Sequence, residues 1–141
     1  MFFENQFGNA FFIGLVSTLV MSTLMIIYRV SRRAPLNLPL LLGKFLWQNK
    51  KLSDKNAMRL GIVLHLLIGA FWGVVYWYTV PIKSVFSGLL FATIPWFLMM
   101  VLVLPVLGQG FFGSKVSKYI PEVYLILHSV YGLMLGYLAT F

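Results

Sequence analysis

Apolar residues run through this chain in four long blocks, at about residues 10–30, 61–80, 85–107 and 121–141. Each is close to the roughly 20 mostly apolar residues that a helix needs to cross a bilayer. Polar positions inside the first block are small: Ser17, Thr18, Ser22 and Thr23 carry hydroxyls that bond their own helix or a neighbour. Ser53 and Asp54 are capping residues ahead of the second block. That block ends in Trp72, Tyr76, Trp77 and Tyr78, aromatics of the kind that favour the membrane–water interface. Pro95 predicts a kink in the third block, and Pro121 with Glu122 suits the first turn of the fourth. The pattern predicts an all-α membrane protein, one domain over residues 1–141, with four transmembrane helices.

One polar pattern occurs twice inside these blocks. His-x-x-x-Gly-x-x-x-Gly places His65, Gly69 and Gly73 in the second block and His128, Gly132 and Gly136 in the fourth, and the chain has no other histidine. Each step of four residues advances about 400° around a helix, so the members of a triplet share one face. The repetition extends further. Gly14-Leu15 parallels Gly88-Leu89, and Leu38-Pro39 with Gly43 parallels Leu104-Pro105 with Gly108. Two tandem two-helix repeats insert with the same orientation, which predicts a pseudo-twofold axis along the membrane normal. His65 follows Arg59 by six residues and His128 follows Pro121 by seven, so the two rings are expected at similar depth. The glycines are candidate packing residues that let helices approach closely.

Charge sets the expected orientation. The net charge is +8, and eight of eleven basic residues lie between Arg29 and Arg59. A basic loop of this kind, residues 31–60, stays cytoplasmic, which places both termini on the periplasmic or exterior side. Because topology accounts for the basic excess, nucleic acid is not an expected partner. The first block carries Glu4 ahead of it and basic residues only behind it, the reverse of a cleavable signal peptide. Within the loop, residues 38–47 are too few to span and too apolar to float. They predict a short interfacial or partly re-entrant helix, with Trp47 at headgroup depth. Arg32, Arg33, Lys44, Lys50 and Lys51 are the candidate membrane-surface residues. A contact with a partner subunit is the alternative use of this segment.

Catalytic material is scarce. There is no cysteine, and Glu4, Asp54 and Glu122 are the only acids, so neither a metal site nor a paired-carboxylate enzyme is expected. Gly108-Gln-Gly110-Phe-Phe-Gly113 lacks the Lys-Ser/Thr of a phosphate cradle and reads as a flexible cytoplasmic turn. The histidines have three readings: packing groups bonded to a carbonyl or hydroxyl, ligands of a b-type haem, or relay groups of a proton or solute pathway. In the haem reading His65 and His128 are the axial ligands, and Arg59, Lys115 and Lys118 meet the propionates. The packing reading carries no cofactor.

The run from Gly61 to Tyr76, with Trp96-Phe-Leu-Met-Met100, Pro105 to Gly113 and Leu127 to Gly136, resembles a group of small uncharacterised bacterial four-helix inner-membrane proteins. The resemblance covers about two thirds of the chain, and the loop before the second block is longer and more basic than in that group. It implies a bacterial cytoplasmic-membrane location and transfers no catalytic residue. The expected function is a non-catalytic accessory or scaffolding subunit of a larger membrane complex, an electron-transfer assembly among the candidates. Its expected partners are lipid and other membrane subunits or a second copy. A b-haem electron carrier is the alternative.

Overall fold

The computed structural model describes residues 5–32, 36–48 and 52–141. Arg33, Lys50, Lys51 and the side chain of Arg32 lie outside the described residues. Among the described residues five α-helices make up the fold: α1 (Gln6–Arg32), α2 (Leu38–Leu46), α3 (Asp54–Thr79), α4 (Val85–Val106) and α5 (Ile120–Leu138). Three of them, over Gln6–Ser31, Asp54–Thr79 and Val85–Val106, are long and apolar enough to cross a membrane. The fourth apolar block forms α5, which has 19 residues and carries Glu122, His128 and three tyrosines. It is not among those helices.

Helix ends fall outside the apolar blocks where local chemistry extends the turn. α3 begins at Asp54 rather than near 61, because Ser53 Oγ accepts the Asn56 N–H and Asp54 sits in the first turn. α4 starts on a capping box in which Ser84 and Ser87 exchange side-chain-to-backbone bonds. Pro95 lies inside α4, and the helix widens to a π-turn over Met99–Val103 before closing at Leu104–Val106. Proline offers no N–H to the turn behind it, and the wider turn follows that break.

Two pairs of long helices pack along one another, α1 with α3 and α4 with α5. In each, glycine brings backbone against backbone. A Cβ on Gly14 would meet the Gly69 carbonyl at 2.7 Å and Gly73 Cα at 2.8 Å. On Gly88 it would meet the Gly132 carbonyl at 2.3 Å and Gly136 Cα at 2.8 Å. α1 also packs on α5, whereas α3 and α4 meet mainly through side chains in the turns nearest their connection. There Tyr76, fully buried, bonds Ser87 Oγ at 2.8 Å. Of the four aromatics at this end of α3, Tyr76 is fully buried, Trp72 and Trp77 are half-buried, with Trp72 edge-on to Phe91, and Tyr78 is exposed.

α2 folds back along the first turns of α3. The Pro39 carbonyl lies where a Gly61 Cβ would be, the Ala57 carbonyl where a Gly43 Cβ would be, and Lys44 pairs with Asp54 at 2.7 Å. Rising numbers on one helix meet falling numbers on the other, so the two run antiparallel. Pro105, by contrast, sits in the last turn of α4 and opens no separate helix. The sequence pairing of Leu38-Pro39 with Leu104-Pro105 is therefore not matched in three dimensions.

Residues 108–113 form a hydrogen-bonded turn. Gln109 N–H bonds Leu104 O at 2.8 Å and Lys115 N–H bonds Gln109 O at 3.1 Å. Phe112, at φ 53°, is held by edge contacts with Trp96 and Phe97.

Replacing Gly73 or Gly88 by Ala is expected to cost about 1–3 kcal/mol, the price of forcing packed backbones apart. Chemical denaturation in detergent micelles checks this, with Gly43→Ala expected to fall in the same range because its clash is with the Ala57 backbone.

Candidate functional site

Both histidines line one cavity of about 190 Å³, walled by residues of all five helices. From α1, Thr18 and Met21 line it, on a helix that also carries Ser17 and Ser22. Ser17 and Thr18 spend their hydroxyls on their own helix, bonding Ile13 O at 2.8 Å and Gly14 O at 2.7 Å. Ser22, one turn further, instead meets His65 Nδ1 on α3 at 3.0 Å. His128 Nδ1 lies 2.8 Å from Tyr124 O, one turn back on α5. A carbonyl only accepts, so this nitrogen carries the proton, and the neutral ring then has its lone pair on Nε2.

The Nε2 atoms are the reactive positions. Neither makes a hydrogen bond among the described residues, and no enclosed side-chain nitrogen or oxygen there lacks a partner. Each Nε2 therefore reaches space that a water-sized group can enter. The rest of the wall is apolar, with Met21, Leu42, Trp72, Pro95 and Met99 among its residues.

The four motif glycines do not face one another across the cavity. Gly69 and Gly73 pack on Thr18 and Gly14 of α1, and Gly132 and Gly136 pack on α4. What joins α3 to α5 is Tyr131, whose hydroxyl donates to Gly69 O at 2.9 Å. Glycine at 69 has no side chain to screen that carbonyl, which lets a tyrosine from a non-adjacent helix reach it. Sequence reasoning missed Tyr131. Its signal was position: three residues after His128, it shares the histidine's face.

Of the surface candidates, Lys44 is paired with Asp54 and Trp47 is exposed at the outer end of α2. Arg29 and Ser117 line a second, smaller cavity of about 90 Å³, which brings the end of α1 beside the segment that precedes α5. Among the described residues no three His, Asp or Glu side chains gather as a metal site would require.

Tyr131→Phe is expected to lower stability by about 0.6 kcal/mol, and by no more than ~1.7, the range of interhelical hydrogen bonds in membrane proteins. Tyr137→Phe, on the exposed face of α5, serves as the unchanged reference in the same unfolding measurement.

A model of a family of unknown function (DUF6789) matches residues 5–141. No curated protein and no solved structure matches the chain.

Proposed function

Since this protein belongs to the DUF6789 family, whose function is unknown, membership brings no activity with it, and we propose from its geometry that it is a non-catalytic membrane subunit. In this reading α5 spans the bilayer with α1, α3 and α4, giving four spans in the cytoplasmic membrane of a bacterium. The two helix pairs are repeats about a pseudo-twofold axis along the membrane normal. The like-for-like glycine contacts, Gly14 on Gly69 and Gly73 and Gly88 on Gly132 and Gly136, support the repeat. The basic end of α1 and the segment holding Lys115 and Lys118 lie at one end of the fold, since Arg29 and Ser117 share a cavity. That end is cytoplasmic by the positive-inside rule, and both termini face out.

The observation that carries the subunit reading is the disposition of small and large side chains. The small-residue faces of the long helices are consumed inside the molecule. Outward, α4 presents Phe86, Leu90, Ile94 and Phe97, and α3 presents Val63, Leu67 and Phe71. Such rows suit lipid or the helices of a larger complex, electron-transfer assemblies among them, with a second copy as the simplest partner.

Photoreactive side chains at Leu90 and Leu67, introduced in native membranes, test this. A stoichiometric adduct with one defined membrane protein from these outward positions, and none from buried Leu104, is the expected outcome. Adducts with lipid alone, from a chain that extracts as a single copy in mild detergent, would sink the subunit reading.

The second reading is a b-haem carrier, favoured by the two histidines that share one cavity. The fit is poor. Pockets for drug-sized ligands run from about 300 Å³ upward, against about 190 Å³ here, and the Tyr131–Gly69 bond bridges the helices a macrocycle would have to separate. A Soret band that sharpens on dithionite reduction and is lost in His65→Ala or His128→Ala would establish haem. A colourless protein retires it.

A further inference from the structure

The cavity that holds both histidines has a mouth. α1 and α5 close against each other, whereas α3 and α4 are bridged by side chains only in the turns next to their connection, Trp72 and Tyr76 against Phe91 and Ser87, and the cavity takes walls from both helices beyond those contacts, at His65, Ile68, Pro95 and Leu98. Ile68, on the cavity wall, is 45% exposed, so the opening faces sideways, at the level of the long apolar helices, rather than toward an end. What enters by such a mouth is membrane-soluble.

Size narrows the class. A dry apolar cavity of about 150 Å³ binds one benzene ring, and this one is about 190 Å³, room for a six-membered ring with a small substituent. Its walls suit a ring: Trp72 offers an aromatic edge or face, and Met21 and Met99 offer polarizable thioethers.

Hydrogen bonding narrows it further. His128 Nδ1 is committed to Tyr124 O, so its Nε2 is an acceptor and calls for a donor from the ligand. His65 Nδ1 is bonded to Ser22, a hydroxyl that either gives or takes a proton, so its Nε2 can complement either side of a ligand O–H. A hydroxyl is the smallest substituent on a ring that both donates and accepts. A carbonyl or an ether leaves the His128 lone pair unmatched.

We infer that the cavity between α3 and α4 binds the head of a membrane-soluble phenol, its ring against Trp72 and its hydroxyl donating to His128 Nε2, with the tail leaving past Ile68 into lipid. The inference is independent of which subunits the protein joins.

The test uses the purified full chain in lipid nanodiscs, with para-hexylphenol and its methyl ether as probes. Tryptophan fluorescence is expected to titrate saturably with the phenol, and the ether to bind at least tenfold more weakly, because it lacks the donor. Leu42→Trp, which fills the cavity, is expected to abolish both. Nitrogen NMR of the unsubstituted chain gives a readout that no variant's misfolding can obscure. One histidine should show a protonated Nδ1 and an unprotonated Nε2, and the phenol, not the ether, should shift that Nε2. Equal binding of phenol and ether, no saturable binding, binding that survives Leu42→Trp, or a His128 ring protonated at Nε2 would each overturn the proposal.

Discussion

The structure depends on backbone-to-backbone contact at glycine. Gly14 rests on Gly69 and Gly73, and Gly88 on Gly132 and Gly136, at separations where even a methyl group would collide with main-chain atoms. Lipid is as apolar as leucine, so helices in a bilayer gain little from hiding apolar surface and associate by close packing and interhelical hydrogen bonds. Removing side chains along one stripe maximises that packing. It also bares carbonyls, and the Gly69 carbonyl is the one that Tyr131 reaches from the other helix pair. The contact that glues α1 to α3 thereby also allows α5 to be tied to α3.

That tie determines the character of the histidine cavity. The helix pairs meet through α1 and α5 on one side and through Tyr131 in the middle, while α3 and α4 touch only near their connecting turn, at Trp72 and Tyr76 against Phe91. His65 and His128 then lie beside an internal space, each with Nδ1 engaged and Nε2 reachable. Nearby, Pro95 and the π-turn that follows supply part of the wall, Met99 and Val103 among its residues. A wider turn there carries those side chains to positions that a regular helix would not give them. The cavity is thus a consequence of incomplete closure in an otherwise tightly packed bundle.

The N-terminal half also contains a part that the C-terminal half lacks. α2 returns along α3 in antiparallel contact, with Pro39 against Gly61 and Gly43 against Ala57, whereas the chain between α4 and α5 makes only a compact turn held by Phe112 between Trp96 and Phe97. Leu38 and Leu42 of α2 reach the cavity wall beside His65. The two histidines consequently have different neighbours, a hydroxyl from another helix for His65 and its own helix carbonyl for His128, although their local sequence pattern is the same.

The sequence by itself determined what is local. Long apolar blocks, Ser53 as a cap and Pro95 as a break specify helices through interactions within a few residues of each other, and the His-x-x-x-Gly-x-x-x-Gly spacing specifies that its members share a face. Which neighbour that face meets was not legible. Hydropathy cannot distinguish a side chain turned to lipid from one turned to another helix, because both surroundings are apolar; of the adjacent Tyr76, Trp77 and Tyr78, the first is fully buried and the last exposed. Only the tertiary structure decided that the glycine stripes close on α1 and α4, that Tyr131 crosses to Gly69, and that one seam stays open beside the histidines. Those outcomes rest on contacts between residues far apart in the chain, and the order of residues along it records no distance between them.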